Sequence, residues 1–235
     1  MNPITLDAAV VQAIELRGIS RLVHFTASRN LPRLIVDAHL RSAKDLATEN
    51  VVLHAETDPW RSDGHPDKIS CSIEYPNVHY LRQVKARNAN FPDWVYLMLK
   101  PRVAAIAGAL FAPANAARND VTLLPGQSGF FKCYSGSVAT GARTIPRAPS
   151  HNFASPTDMQ SEVLVPAPVP LSAVLSIVVP SSSAGTHERD RLKFLHHDPD
   201  IFNWIVAPGL FDIDSVRAAV RNGRRISESA WKESS

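Results

Sequence analysis

The sequence predicts a folded protein that combines short strands with helices. Hydrophobic residues make up 45% of the 235 positions and charged residues 20%, which is enough apolar surface for a core. Apolar runs bounded by proline or polar turns predict strands, and segments with polar caps predict helices. We expect one domain over 1–235, with a core at about 19–179 and a C-terminal helical extension at about 190–226.

The composition excludes several classes of protein. The net charge of +3 is a mild basic bias, which permits a nucleic-acid partner without requiring one. Cys71 and Cys133 are far apart in the sequence and predict neither a disulfide nor a zinc site, so we expect a reducing, cytoplasmic setting. No apolar run approaches the roughly 20 residues that span a bilayer, and no secretory signal or membrane partner is expected. The sequence has no GxGxxG, P-loop, GxSxG or HExxH motif, which argues against the enzyme classes that these motifs mark.

The N-terminal elements place two polar side chains on one strand. A helix is predicted over 5–16, ending near Gly18, then a strand over 19–26 and a second helix over 31–39. His24 and Thr26 are two residues apart, so on a strand they face the same ligand. Alternatively, His24 is a core or edge residue whose hydrogen bonds are satisfied, and Asn30 is a helix cap.

A long loop is predicted over 42–68, with one short strand at 51–53. Loops of this length in compact domains tend to be functional. Trp60 and Arg61 are its most distinctive residues, because Arg61 offers a bidentate clamp for a phosphate beside a stacking ring. The alternative is an ion pair between Arg61 and Asp58 or Asp63.

The remaining elements alternate between strands and weaker helices. Strands are predicted over 69–75, 94–99 and 174–179, a short helix around 80–87, a weak helix over 102–110 and a last helix over 214–222. The segment 111–117 is rich in turns and either lines a pocket or connects elements, and 181–188 is predicted to be a polar loop.

The segment 121–157 contains no Asp or Glu, and it is predicted to be a basic loop. Its cationic candidates for contacting a nucleic acid are Lys132, Arg143, Arg147 and His151. Cations with interleaved aromatic rings are typical of surfaces that bind single-stranded nucleic acid. The alternative is an irregular surface loop with ordinary aromatic anchors. A cluster of arginines from Arg217 to Arg225 is a further candidate for holding phosphates.

Glu162 begins a short apolar strand at 163–165, between Pro156 and Pro166. A carboxylate on rigid backbone is suited to electrostatic catalysis. The alternative is a solvated residue at the end of a strand.

Four blocks in this order resemble a known family. They are His24-Phe25-Thr26 with Asn30-Leu31, then Arg61-Ser62-Asp63-Gly64, then Ile69-Ser70-Cys71-Ser72-Ile73 followed by Tyr75-Pro76-Asn77, and finally Asp158-Met159-Gln160-Ser161-Glu162-Val163-Leu164-Val165. Together they make the chain similar to the DarT family over about 19–179. These proteins are the toxins of DarT–DarG toxin–antitoxin pairs, ADP-ribosyltransferases that modify bases in DNA.

The resemblance implies an α+β fold of the poly-ADP-ribose polymerase type, with two small antiparallel sheets around an NAD cleft. It implies that His24 and Thr26 hold the nicotinamide end of NAD, that Asn30 helps to order this co-substrate, and that Arg61 contacts the pyrophosphate. Glu162 and Arg61 are then the catalytic residues, and no metal is implied. The chain lacks the Asp-Tyr-Val-Pro-Phe-Tyr stretch of thymidine-modifying members, which leaves the target base open.

The chemistry agrees with these roles. Breaking the bond between nicotinamide and ribose builds positive charge on the sugar, and a fixed carboxylate stabilises that charge. A base must leave its stack to react, so single-stranded DNA is the expected substrate, with RNA or protein as alternatives. A cognate antitoxin is a further expected partner, and we expect it to be an ADP-ribose hydrolase. A binding module for single-stranded nucleic acid, without catalysis, is the alternative from a different class.

Overall fold

The structure, a computed structural model, describes residues 4–47, 63–88 and 90–233. Within those ranges the helices are α1 (Ala8–Arg17), α2 (Leu31–Asp37), α3 (Ala43–Ala47), α4 (Val78–Arg87), α5 (Gly126–Lys132), α6 (Ser182–Phe194) and α7 (Ile213–Asn222). The strands are β1 (Leu22–Ala27), β2 (His39–Leu40), β3 (Lys68–Ile73), β4 (Trp94–Leu99), β5 (Leu110–Ala112), β6 (Leu124–Pro125), β7 (Ser137–Thr140), β8 (Arg143–Pro146), β9 (Glu162–Pro166), β10 (Val169–Pro170), β11 (Val174–Val179), β12 (Trp204–Val206) and β13 (Ser229–Ala230).

Nine of these strands form one mixed sheet, in the order β13-β12-β11-β4-β1-β3-β9-β5-β6. β11 and β12 run parallel and the other neighbours are antiparallel. Two ribbons of two strands each, β2 with β10 and β7 with β8, complete the sheet structure of the described residues. The α+β class is confirmed. The two sheets implied by the resemblance are joined into one, and strands β12 and β13 add to the expected helical extension.

The join between the two halves of the sheet is short. β1 pairs with β3 at only two positions, Leu22 with Ile73 and Val23 with Ser72. By contrast, β1 pairs with β4 along its whole length, and β3 pairs with β9 from Lys68 to Ser72. Beyond Val23 the backbones of β1 and β3 are no longer paired, and this separation is what positions the site.

β4 is buried on both faces and divides the core. Val95, Leu97 and Leu99 pack in the larger apolar cluster, and Trp94, Tyr96 and Met98 pack in the second cluster on the other face. A continuous apolar run is what a strand needs when both its faces are covered. The predicted strands at 94–99 and 174–179 are therefore confirmed to the residue.

The caps of two helices explain where they begin. The Asp7 carboxylate accepts hydrogen bonds from the amides of Ala9 (2.9 Å) and Val10 (3.2 Å), and α1 ends at Gly18, whose φ of 62° suits a residue without Cβ. The side chain of Asn77 accepts from the amide of Tyr80 at 3.1 Å, and this starts α4 directly after the turn at Pro76.

Several expected loops are structured. The segment 121–157 contains β6, α5 and the β7–β8 ribbon, and its rings Phe130 and Tyr134 are buried. The polar loop expected at 181–188 lies mostly in α6, and part of 111–117 belongs to β5. The weak helix expected at 102–110 is a 3₁₀ turn over Pro101–Ala105. The predicted strand at 51–53 lies outside the described residues.

Cys71 and Cys133 are both free and buried. Among the described helices none has the length and apolar character needed to cross a membrane.

Candidate active site

A cavity of about 680 Å³ opens where β1 and β3 separate. Its described lining includes four of the candidate residues, His24, Thr26, Asn30 and Glu162. Residues that the sequence spaces far apart are thus brought to one concave site. Arg61 lies outside the described residues, so its expected contact with a pyrophosphate remains a prediction.

Ser70 connects the two most important of these side chains. The backbone carbonyl of Ser70 accepts a hydrogen bond from Nδ1 of His24 at 2.9 Å, and its hydroxyl donates to Oε2 of Glu162 at 2.5 Å. Because a carbonyl oxygen only accepts, Nδ1 of His24 carries a proton. One residue of β3 therefore fixes both the imidazole from β1 and the carboxylate from β9.

Glu162 is buried, with 8% of its surface exposed, so the reading as a solvated strand end is wrong. Its backbone pairs with Ser72 on one side and with Ala112 on the other, which places it in the interior of the sheet. Burial and the nearby Glu162 carboxylate raise the pKa of the Cys71 thiol, which is therefore unreactive. The site thus has a fixed carboxylate and no competing nucleophile from this cysteine.

Asn30 supports Thr26. The Asn30 amide donates to the Thr26 hydroxyl oxygen at 3.0 Å, and Asn30 makes no capping hydrogen bond to the helix that follows. Asn30 does occupy the N-cap position of α2, as the alternative reading expected, but its side chain bonds to Thr26 and makes no capping hydrogen bond. Thr26 is buried on the same strand as His24 and lines the same cavity, as their spacing predicted.

Sequence reasoning did not single out Ser70 and Tyr80, which line the cavity, or Asn115 within the turn-rich segment. The Tyr80 ring from α4 lies edge-on to Phe25, with ring centroids 5.6 Å apart. Asn115 and Ala117 confirm that the turn-rich segment lines a pocket. The signal for Ser70 was present, because the alternation of its strand places a hydroxyl on the face opposite the apolar core.

The four cationic candidates of the acid-free segment, residues 121–157, do not line the described part of the cavity. Lys132 ends α5 and Arg143 begins β8, and both are exposed. His151 is buried, and its Nε2 donates to the carbonyl of Pro156 at 2.8 Å. Burial lowers the pKa of His151 and favours the neutral ring.

Arg147 is bonded to its own loop. Its guanidinium donates to the carbonyls of Ser155 (2.8 Å), Asn152 (2.8 Å) and Phe153 (3.3 Å), and it lies 3.4 Å from the Thr157 hydroxyl. Arg147 and His151 were expected to contact phosphates. In the structure both side chains donate to backbone carbonyls of the segment that leads to Glu162 and stabilise its conformation.

This segment also packs on the end of α7. The Asn152 amide donates to the carbonyl of Val220 at 2.8 Å, and the Ser150 hydroxyl donates to that of Arg221 at 3.0 Å. The acid-free segment and the C-terminal arginines therefore adjoin on one surface. Arg217 is paired with Asp214 at 2.5 Å, which leaves it less available to an anion.

Solved structures with a similar fold include Thermosipho africanus DarTG in complex with ADP-ribose, with a TM-score of 0.55 and 11% identity over 82% of this chain. The chain spans about half of that protein, 51% of its length. Thermus sp. 2.9 DarT in complex with ADP-ribosylated ssDNA matches with a TM-score of 0.56 and 12% identity, over 83% of this chain and 97% of that one. The same Thermus protein in complex with NAD+ gives 0.53 and 12%, over 82% and 98%. A comparison with curated protein sequences gives no match.

These likenesses show a shared fold. The class of protein follows from the family model that the chain matches: this is an ADP-ribosyltransferase. The family model described as "ssDNA thymidine ADP-ribosyltransferase, DarT" matches residues 23–205. The chain therefore belongs to the DarT family, as the order of its four sequence blocks predicted.

Proposed function

We propose that this chain transfers the ADP-ribosyl group of NAD to a base of single-stranded DNA. The observation that carries the proposal is the cavity in which Ser70 holds both His24 and Glu162. A rigid carboxylate beside an NAD-sized cavity is what stabilisation of a sugar cation requires. Two Thermus DarT complexes, one with NAD+ and one with ADP-ribosylated ssDNA, support the same pair of substrates.

In this proposal His24 and Thr26 hold the nicotinamide end of NAD. The neighbouring Asn30 orders the Thr26 hydroxyl, with which it is bonded. Arg61 contacts the pyrophosphate. This arrangement puts the bond between nicotinamide and ribose next to Glu162.

The reaction then breaks the bond from C1′ of the ribose to the nicotinamide nitrogen. The electron pair leaves with nicotinamide and neutralises its ring, and positive charge spreads over C1′ and the ring oxygen. The Glu162 carboxylate stabilises this charge, and a nitrogen of the base attacks C1′. The proton that the base loses passes to Glu162, so every step uses groups of the chain and its two substrates. We expect no requirement for a metal ion.

The DNA strand contacts the acid-free segment. Lys132 and Arg143 are exposed cations there and bind phosphates, whereas Arg147 and His151 hold the loop in shape. A single strand is favoured because its bases reach the cavity without the cost of leaving a duplex stack. Thymidine, the base in the family description, is the first base to test.

The biological role that fits this activity is that of a toxin. Modified bases obstruct copying of DNA, and an antitoxin that removes the ADP-ribose is the expected partner. The two buried free cysteines agree with a cytoplasmic site of action, where both NAD and DNA are available.

Mass spectrometry of one reaction tests the function. The protein is incubated with NAD and a mixture of a thymidine-containing single-stranded oligonucleotide, the same oligonucleotide without thymidine, an RNA of equal length and a protein extract. We expect one ADP-ribosyl unit on the first oligonucleotide alone, with release of an equal amount of nicotinamide. Modification of RNA or protein alone, or binding of DNA without release of nicotinamide, contradicts the proposal.

A further inference from the structure

One arginine of the cavity differs from the others in its bonding. The described lining contains Arg29, Arg33, Arg41 and Arg191. Three of them are bonded to carboxylates, Arg33 and Arg41 to Asp37 (2.8 and 3.5 Å) and Arg191 to Glu188 (2.6 Å). In the described part of the chain Arg29 has no salt bridge to a carboxylate, and its Nε is buried without a hydrogen-bond partner.

The Arg29 guanidinium is nevertheless held in place. Its central carbon lies 3.5 Å from the centroid of the Phe91 ring. The backbone of Phe91 is fixed, because its amide donates to the carbonyl of Asn88 at 2.9 Å and its carbonyl accepts from Nε1 of Trp94 at 2.9 Å. A guanidinium stacked on a ring keeps its edge available for hydrogen bonds in its own plane.

A charged donor without an acceptor is costly to maintain. Burial lowers the pKa of Arg29, and no anion among the described residues counteracts that shift. The arrangement resembles a binding group whose acceptor is supplied by a ligand, since the stacked ring orients the donor and the residues that the structure describes give its Nε no partner.

The register of the sheet places Arg29 at the end of the cavity away from Glu162. Glu162 pairs with Ser72, and Ser72 pairs with Val23 at the start of β1. Arg29 follows the far end of β1, in the 3₁₀ turn Ser28–Asn30. A strand advances about 3.3 Å per residue, so about 10 Å of β1 separates His24 from Ala27. Arg29 therefore lies farther from Glu162 along this wall of the cavity than His24 does, beyond Thr26.

We propose that Arg29, stacked on Phe91, forms a phosphate subsite that binds the pyrophosphate of NAD. The inference rests on the proposed function, because NAD is taken as the ligand of the cavity. Phosphate is the anion of NAD, and a planar guanidinium matches two of its oxygens at once. Arg29 then fixes the distant part of the dinucleotide while Glu162 acts on the ribose.

Calorimetry with two ligands tests the subsite. ADP-ribose carries both phosphates and nicotinamide carries none. For Arg29→Gln we expect Kd for ADP-ribose to rise on the order of 10- to 100-fold, as for loss of hydrogen bonds to a charged group, and Kd for nicotinamide to stay unchanged. Arg29→Lys keeps the charge without the planar fork, and its Kd for ADP-ribose should lie between those of the wild type and Arg29→Gln.

Two further variants test the role of the Phe91 ring and control for the loss of an arginine outside the cavity. Phe91→Leu removes the ring beneath the guanidinium and should weaken ADP-ribose binding by less than Arg29→Gln does. Arg102→Gln is the matched control, because this exposed arginine is paired with Glu15 at 3.0 Å and does not line the described cavity. We expect it to bind both ligands as the wild type does.

The outcomes are distinct. Equal affinity of the wild type and Arg29→Gln for ADP-ribose would overturn the subsite and leave the proposed function intact. A change confined to the KM for the oligonucleotide would also overturn it, because the phosphate would then belong to the nucleic acid. A wild type that binds neither ligand would overturn the proposed function, and the subsite with it.

Discussion

Replacing Ser70 by alanine removes the hydrogen bond that fixes the Glu162 carboxylate, and leaves the backbone of the site in place. The hydroxyl donates to Glu162 at 2.5 Å, and in the proposed reaction this acceptor is an ionised carboxylate. A hydrogen bond to a charged group contributes about 1.5–3 kcal/mol, which corresponds to about 10- to 100-fold in rate. The carbonyl of Ser70 still accepts from His24, so we expect kcat to fall by this factor while KM for NAD changes little.

Steady-state transfer to an oligonucleotide, with NAD varied, measures both constants. Ser70→Thr keeps the hydroxyl and should restore most of kcat. Ser137→Ala is the matched control, because this serine also lies on a strand but is exposed and does not line the described cavity. A kcat for Ser70→Ala equal to that of the wild type would refute the positioning role. A loss confined to the KM for NAD would assign Ser70 to the cofactor side.

Two predictions concern the stability of the fold. Burial lowers the pKa of His151, so its neutral ring stabilises the fold above the unfolded value of about 6.5, and this stability is lost as pH falls through the lowered pKa of the folded state. Thermal unfolding from pH 8 to pH 5 should therefore show a steeper loss of Tm for the wild type than for His151→Gln, and parallel curves would contradict the prediction. In α5, a Cβ on Gly129 would overlap the backbone carbonyl of Leu124, so Gly129→Ala should lower the free energy of unfolding by about 1–3 kcal/mol. Gly136→Ala meets nothing within 4 Å and should leave it unchanged in the same denaturant titration.

The sequence predicted the strands that are apolar throughout, and it failed where tertiary packing decides. The run at 94–99 is buried on both faces, so its sequence carries the whole signal. The beginning of α6 has no apolar pattern, and the sequence predicted a polar loop there. Its Gly185 packs closely against Trp231 from the C-terminal end of the described chain, a contact that no local rule indicates.

The site shows the same division. His24 and Glu162 were identified from the sequence motifs, but Ser70 acquires its role only through the separation of β1 from β3. That separation depends on strand register, which is non-local. Composition correctly marked 121–157 as basic. It did not predict that Arg147 and His151 point into their own loop, because this depends on which carbonyls the folded loop presents.

The proposed reaction depends most directly on the charge of Glu162. Glu162→Gln keeps the size of the side chain and an oxygen that accepts from Ser70, and it removes the charge that stabilises the ribose cation. Single-turnover transfer of ADP-ribose from NAD to a thymidine-containing oligonucleotide, with NAD saturating, should slow by about 10²–10³-fold while the affinity for ADP-ribose is retained. A variant that transfers at the wild-type rate would contradict the central claim.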